Sequence, residues 1–155
     1  MKNNPKIKCI SISDVEFGKN VVIVEPVNLY ACIIGDNTFI GPFVEIQKGV
    51  KIGKNCRIQS HSFICELVTI GNNCFISHGV MFINDMFSIG RPAGGDKKLW
   101  VSTDIGNSVS IGTNATILPV KITDNTVIGA GSVVTKNITE PGIYAGNPAR
   151  KLRDL

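Results

Sequence analysis

Alanine and leucine, the strongest apolar helix formers, are scarce in this chain of 155 residues, with six copies of each. That scarcity excludes a helix bundle. Charge is thin as well: 18% of residues are charged, against about 25% in an average domain, which points to surface covered by other subunits. The net charge of +4 suits an anionic ligand but is too mild and too scattered for a nucleic-acid partner. No apolar run approaches the ~18 residues of a membrane span, and Met1–Pro5 lead into no signal peptide. A cytoplasmic protein without a membrane partner is the expectation. The five cysteines (Cys9, Cys32, Cys56, Cys65 and Cys74) are odd in number and form no CxxC pair, so free, mostly buried thiols in a reducing compartment are expected. Histidine occurs only twice, as His61 and His78, and no clear third ligand accompanies them, so no metal is expected.

What is abundant is β-branched: 22 isoleucines and 15 valines, with 16 glycines and 14 asparagines to supply turns. The composition predicts an all-β protein of many short strands, and the length suits one domain spanning residues 1–155.

The order of these residues is more informative than their number. Isoleucine falls at 34, 40, 46, 52, 58, 64, 70 and 76, a spacing of six, and Phe82 continues it. The spacing resumes at Ile105, Ile111 and Ile117, then slips by one to Ile122 and Ile128. Glycine often follows the isoleucine, and a small or β-branched residue stands four places after it. Neither helical nor alternating periodicity produces this pattern. A six-residue unit holds one short strand and one turn, and three units close a triangular coil of 18 residues. Stacked coils bury a continuous column of isoleucines that no single coil could bury. Residues 17–83 and 105–138 predict five to six coils. Two units are one residue short, Leu29–Ile33 and Ile117–Lys121. Cys56 and Cys74, 18 apart, belong at one corner of adjacent coils, and His61 and His78, 17 apart, at nearly the same corner.

The repeat fails once. Residues 84–104 form a long loop that contains Arg91, a Gly94–Gly95 pair, Lys97–Lys98 and the only tryptophan, Trp100. A loop of this length in a compact repeat protein is either a functional, partner-covering loop or a tolerated insertion, and the first is the expectation. The register survives on both sides, so the loop leaves from one corner of a coil. Asn84 and Asp85 stand where the coil gives way. Either they serve only the turn, or one of them faces a substrate. A corner role and a catalytic role near the root of the loop both remain open for His78.

This repeat resembles that of the left-handed parallel β-helix proteins. Val80–Asp85 before the loop, Trp100–Thr103 after it, Ile111–Ile117, Val127–Lys136 and the closing Tyr144–Arg150 narrow the resemblance. Together they are similar to the hexapeptide acyltransferases that N-acylate amino sugars on nucleotide carriers, in particular the short enzymes for 3-amino-3-deoxy sugars on dTDP or UDP. The longer bacillosamine-type relatives carry an N-terminal nucleotide-binding domain, whereas the repeat begins here by about residue 17.

The resemblance implies an all-β, left-handed β-helix with one excursion loop and a short C-terminal tail, assembled as a homotrimer with active sites between subunits. It implies acetyl-CoA as acyl donor, lying along the C-terminal coils. Gly112, Ala130 and Gly131 would line the pantetheine, and Lys136, Arg150 and Lys151 would meet the phosphates. Asn84 matches an asparagine beside the sugar amine, and His61, Arg91 and Trp100 are further candidates for substrate contact. His78 lies near the catalytic histidine of other subfamilies, out of register. The expected reaction is direct attack of the amine on the thioester. A backbone amide such as that of Gly112 would stabilise the oxyanion, and His78, Asp85 or the leaving sulfur would take the proton. The alternatives are another small acceptor, including a hydroxyl, or a β-helix protein that is non-catalytic or metal-dependent.

Overall fold

The computed structural model describes residues 12–155; Cys9 and the first residues of the chain lie outside that range. The described chain winds as a left-handed parallel β-helix of about seven turns. The period-six reading of the sequence is therefore borne out. Three parallel sheets form its faces, and among the described residues the only helical element is a 3₁₀ turn, Lys97–Leu99. Face A stacks seven strands, from Ile12–Ser13 to Val133–Val134. Face B stacks six, from Glu16–Phe17 to Lys121–Ile122. Face C begins at Val22–Ile23 and ends with Gly142–Ala145, against which Arg150–Arg153 folds back antiparallel.

Most strands have only two residues, one pointing in and one out. The inward residues are the repeat isoleucines: Ile40 pairs with Ile58, Ile58 with Ile76, Ile76 with Ile111 and Ile111 with Ile128. All five are buried, as are the matching columns on faces A and B from Leu29 and Ile34 onward. Burying an isoleucine side chain in this way stabilises the fold by about 1.5–3 kcal/mol.

The corner between faces B and C shows how the coils close. Asn20, Asn37, Asn55, Asn73, Ser108 and Asn125 occupy it with φ between 54° and 57°. Asparagine accepts this left-handed conformation better than most residues. The amides also form a ladder: Asn20 Nδ2 donates to Asn37 Oδ1, Asn37 to Asn55 and Asn55 to Asn73, at 3.1, 3.1 and 3.2 Å. The glycines just before them are fixed by space. A Cβ on Gly53 would stand 2.5 Å from the carbonyl oxygen of Gly71.

Just past this corner, Cys56 and Cys74 stack in adjacent coils as the spacing predicts, their thiols donating to the carbonyls of Gly71 and Gly106 at 3.1 Å. The cysteines at 32, 56, 65 and 74 are free and buried. Burial pushes the Cys32 thiol up to about 11 and the Cys65 thiol up to about 12.

Two sequence expectations are corrected. The coils number about seven rather than five to six, because Ile12–Ile23 already form a complete turn whose inward residues lack the Ile-Gly signature. The loop is shorter than predicted, because Thr103–Ile105 already pair with Val68–Ile70. The excursion is residues 84–102. Both five-residue units fall at the corner between faces A and B, the corner from which the excursion also leaves. Variation in length is confined to that corner.

Ile58→Ala should cost about 2–5 kcal/mol of stability, measured by denaturant unfolding, since a stacked column cannot collapse around a missing side chain. Gly53→Ala should also destabilise, through the backbone contact with Gly71.

Candidate functional site

The predicted site residues divide among three places on the solenoid. The first is the corner between faces C and A. His61 and His78 lie there in adjacent coils, as their spacing predicts, and Gly112, Ala130 and Gly131 continue the same corner toward the C-terminus. Each coil spends two residues on this turn. The second has positive φ: Phe43, His61, Gly79, Asn114 and Gly131, at 60°, 64°, 65°, 58° and 66°. The first of each pair is Pro42, Ser60, His78, Thr113 or Ala130. His78 is exposed, and its Nδ1 lies 2.8 Å from Ser60 Oγ one coil away. That contact fixes the ring and leaves Nε2 toward solvent.

Gly112 does not have the free amide that the sequence reading gives it. Its N–H donates to Ile128 O at 2.8 Å, as the residue after the inward isoleucine does in every coil. The next residue escapes the ladder. Among the described residues the amides of Ser60, His78, Thr113 and Ala130 have no hydrogen-bond partner, so all four are donors this corner offers to a ligand, Thr113 and Ala130 being the two beside Gly112 and Gly131. Gly112 instead gives close approach: a Cβ there would lie 2.5 Å from the nitrogen of Ala130. Beside Gly131 the space is open.

The second place is the corner between faces A and B, where the excursion begins. Asn84 is half-buried, and its Nδ2 donates to Glu66 O at 3.2 Å. Its Oδ1 is thereby the side-chain atom left to accept a hydrogen bond. Val101 N–H donates to Asn84 O, and Asp85 bridges to Trp100 across the mouth of the loop. Asp85 is occupied: one carboxylate oxygen accepts from Phe87 N–H at 2.9 Å and the other from Ala93 N–H at 2.7 Å. Its role in the fold is to tie the loop. Arg91 is exposed on the outer part of the excursion, and Trp100 is partly buried at its base.

Two residues at this corner escaped the sequence reading. Lys97 forms an ion pair with Glu66, and its ammonium lies 5.3 Å from the centre of the Trp100 ring. The signal was present, because Glu66 precedes Asn84 by 18 residues, one full coil. Burial first, then the charges of Glu45 and Glu66, raise the pKa of Tyr30 near this corner.

The third place is the C-terminal end of the column, where a cavity of about 240 Å³ is lined by Lys136, Arg150 and Lys151 together with Val134, Ile138 and Tyr144. The three cations predicted from the tail are thus brought together. Lys151 is already countered: Asp154 at 2.9 Å and Glu140 at 3.1 Å hold its ammonium and push its pKa up. Among the described residues Lys136 and Arg150 have no carboxylate partner.

The expectation that His78 stands near the root of the loop is corrected. The strand Met81–Phe82 separates them, with His78 at one edge of face A and Asn84 at the other. Six residues of extended chain span about 20 Å. Within one chain the two side chains do not meet. Among the described residues there is no grouping of three or more metal-ligating side chains, and no helix is long and apolar enough to cross a membrane.

This architecture agrees with comparisons to known proteins. Residues 31–66 match the bacterial transferase hexapeptide family (six repeats), and residues 103–136 match the hexapeptide repeat of succinyl-transferase. Together with the three-faced solenoid, these matches define the chain as a hexapeptide-repeat β-helix protein.

Among individual relatives, the bifunctional protein GlmU of Clostridium botulinum (strain ATCC 19397 / Type A) is 38% identical over 130 residues. That similarity covers 77% of this chain and 28% of GlmU. GlmU of Streptococcus uberis is 30% identical over 150 residues, covering 92% and 32%. The chain therefore spans about a third or less of these relatives. A solved structure covers more: a variant of AntD, an N-acyltransferase from Bacillus cereus in complex with dTDP and coenzyme A. It superposes with a TM-score of 0.79 at 26% identity, covering 92% of this chain and 85% of its own. AntD with dTDP and 3-hydroxybutyryl-CoA gives 0.77, also at 26% identity.

The contacts of Lys97 can be read without a substrate, because Trp100 is the only tryptophan. Lys97→Met should change the emission of Trp100 and remove its dependence on salt, while the melting temperature stays within a few degrees. Exposed ion pairs and cation–π contacts are each worth about 1 kcal/mol or less.

Proposed function

We propose that this chain is an acyl-CoA-dependent N-acyltransferase, most simply an acetyltransferase, for the amino group of a dTDP- or UDP-linked amino-deoxy sugar. The observation that carries this reading is the near full-length likeness to AntD, an N-acyltransferase solved with dTDP and coenzyme A. The amine nitrogen attacks the thioester carbonyl, a C–N bond forms, the C–S bond breaks, and the coenzyme thiolate leaves with the proton that the amine gives up. The pantetheine lies along the corner of Gly112, Ala130 and Gly131, with Lys136 and Arg150 toward the phosphates. The oxyanion takes the amide of Thr113 or Ala130 rather than that of Gly112. Asn84 Oδ1 accepts from the amine and orients it. His78 Nε2 is the side-chain base, because both oxygens of Asp85 are engaged by the loop.

This assignment needs more than one chain, since Asn84 and His78 lie on opposite edges of face A. The outward residues support an assembly that buries faces A and C. Phe63 and Met81 project from face A and Phe75 from face C, whereas face B carries Lys51, Asp104 and Lys121. A homotrimer in the cytoplasm, with each site between two subunits, accounts for this distribution and for the low overall charge.

A panel of dTDP- and UDP-amino sugars, assayed by thiol release from acetyl-CoA, tests the reading; no turnover with any of them would refute it. Asn84→Ala should lower turnover roughly 100-fold with the oligomer intact, the scale expected when a reacting group is misplaced. A second reading, a hydroxyl acceptor, is favoured by the Ser60–His78 contact, which holds a histidine as a base would be held. His78→Ala distinguishes the two. For an amine the loss should be modest and should shrink as pH rises and the free amine accumulates. For a hydroxyl it should be about 10²–10⁴-fold at every pH.

A further inference from the structure

We infer that the N-terminal part of the corner between faces C and A holds the pyrimidine base of the nucleotide, in a pocket built around Phe43; this rests on the amino-sugar reading above. Phe43 is in the left-handed region, with φ of 60°, and is 58% exposed. A bulky side chain in that conformation is strained, and strain of this kind gathers at ligand-binding positions. The core does not explain it, since the ring stays largely outside. Three of the five equivalent positions along the corner carry the expected glycine or asparagine: Gly79, Asn114 and Gly131. The other exception is His61, whose ring stacks on Phe43 with centroids 4.8 Å apart and planes inclined by 12°. Two aromatic rings in adjacent coils thus project from this corner, and of the two only phenylalanine is disfavoured by the turn.

Beside Phe43 lies a cavity of about 160 Å³, lined by Pro26, Val27, Asn28, Phe43, Val44 and Glu45. It is about half the ~300 Å³ at which pockets for drug-sized ligands begin, so it suits one ring with the rest of the molecule outside. Its walls are apolar apart from Asn28 and Glu45. An amide can donate and accept, and a carboxylate accepts. Glu45 Oε1 is taken by Gln47 Nε2 at 2.9 Å, which leaves Oε2 for a ligand. These groups complement the edge of a pyrimidine, an N–H flanked by carbonyl oxygens, while an aromatic wall stacks on a base. Phe43 is two coils from His78 along the same corner, about 10 Å at the spacing of a β-ladder. The ribose and diphosphate would occupy that interval, past His61 and Ser60.

Asparagine tolerates the left-handed conformation, so the decisive variant relieves strain while it removes the ring. Calorimetric titration of the full chain with dTDP, UDP and GDP, and separately with acetyl-CoA, provides the test. Phe43→Asn should melt at or above the wild-type temperature, bind dTDP and UDP at least tenfold more weakly, and keep its affinity for acetyl-CoA. Phe43→Gly, equally compatible with the turn, should behave the same way. Wild-type protein should prefer dTDP or UDP over GDP. Binding of dTDP by both variants within twofold of wild type, or GDP bound as tightly as dTDP, would overturn the pocket and leave the amino-sugar reading standing. A wild-type protein that binds neither dTDP nor UDP would overturn that reading, and the pocket with it.

Discussion

Adjacent coils must lie at the spacing of a parallel β-ladder, about 4.8 Å, along the whole axis, and the rest of the molecule depends on this. At that distance every inward side chain touches its counterpart above and below, so one residue type repeated in register fills the column. Isoleucine does so through most of each face, with Leu29, Phe82 and Val134 taking its place on face A. The same distance leaves no room for a Cβ at the glycine corners, where Gly35, Gly53 and Gly71 approach the backbone of the next coil. It also brings successive asparagine amides within hydrogen-bond reach, and so the turn between faces B and C becomes a ladder in its own right.

A framework this repetitive leaves function to the positions where repetition is relaxed. The corner between faces A and B tolerates short units and the excursion, and there Asn84 is held by Glu66, whose carboxylate pairs with Lys97 beside the Trp100 ring. The corner between faces C and A tolerates bulky or reactive side chains in turn positions, and there Phe43, His61 and His78 are displayed. Between them runs one face of the solenoid, with Phe63 and Met81 outward. The two corners thus lie on opposite edges of one face, up to about 20 Å apart.

The distribution of charge follows the same division. Asp36 and Asp124, at the corner between faces B and C, accept backbone N–H groups from the adjacent coil, and these hydrogen bonds hold their carboxyls below the usual carboxylate range. They serve the turn. The cations at the C-terminal end are a different case. Lys151 is tied by two carboxylates, and Lys136 and Arg150 are left to face the cavity beside it.

The sequence by itself determined the coil. A period of six is short enough that each unit writes its own strand and turn, so the isoleucine columns, the stacked cysteines, the shared corner of the two histidines and the place of the excursion could all be read from spacing. It understated the first turn, where Val15, Val21 and Ile23 pack against the core without the Ile-Gly signature. Tertiary structure decided which corner each residue occupies relative to the others. Asn84 and His78 are six residues apart, yet a strand sets them on opposite edges of a face. Glu66 reaches Asn84 only because one coil returns the chain to the same place. The hydrogen bond that occupies the Gly112 amide, and leaves those of Thr113 and Ala130 open, is made between coils and not within one. Local periodicity encodes the rungs; which side chains share a site depends on contacts between rungs, which no single stretch of sequence contains.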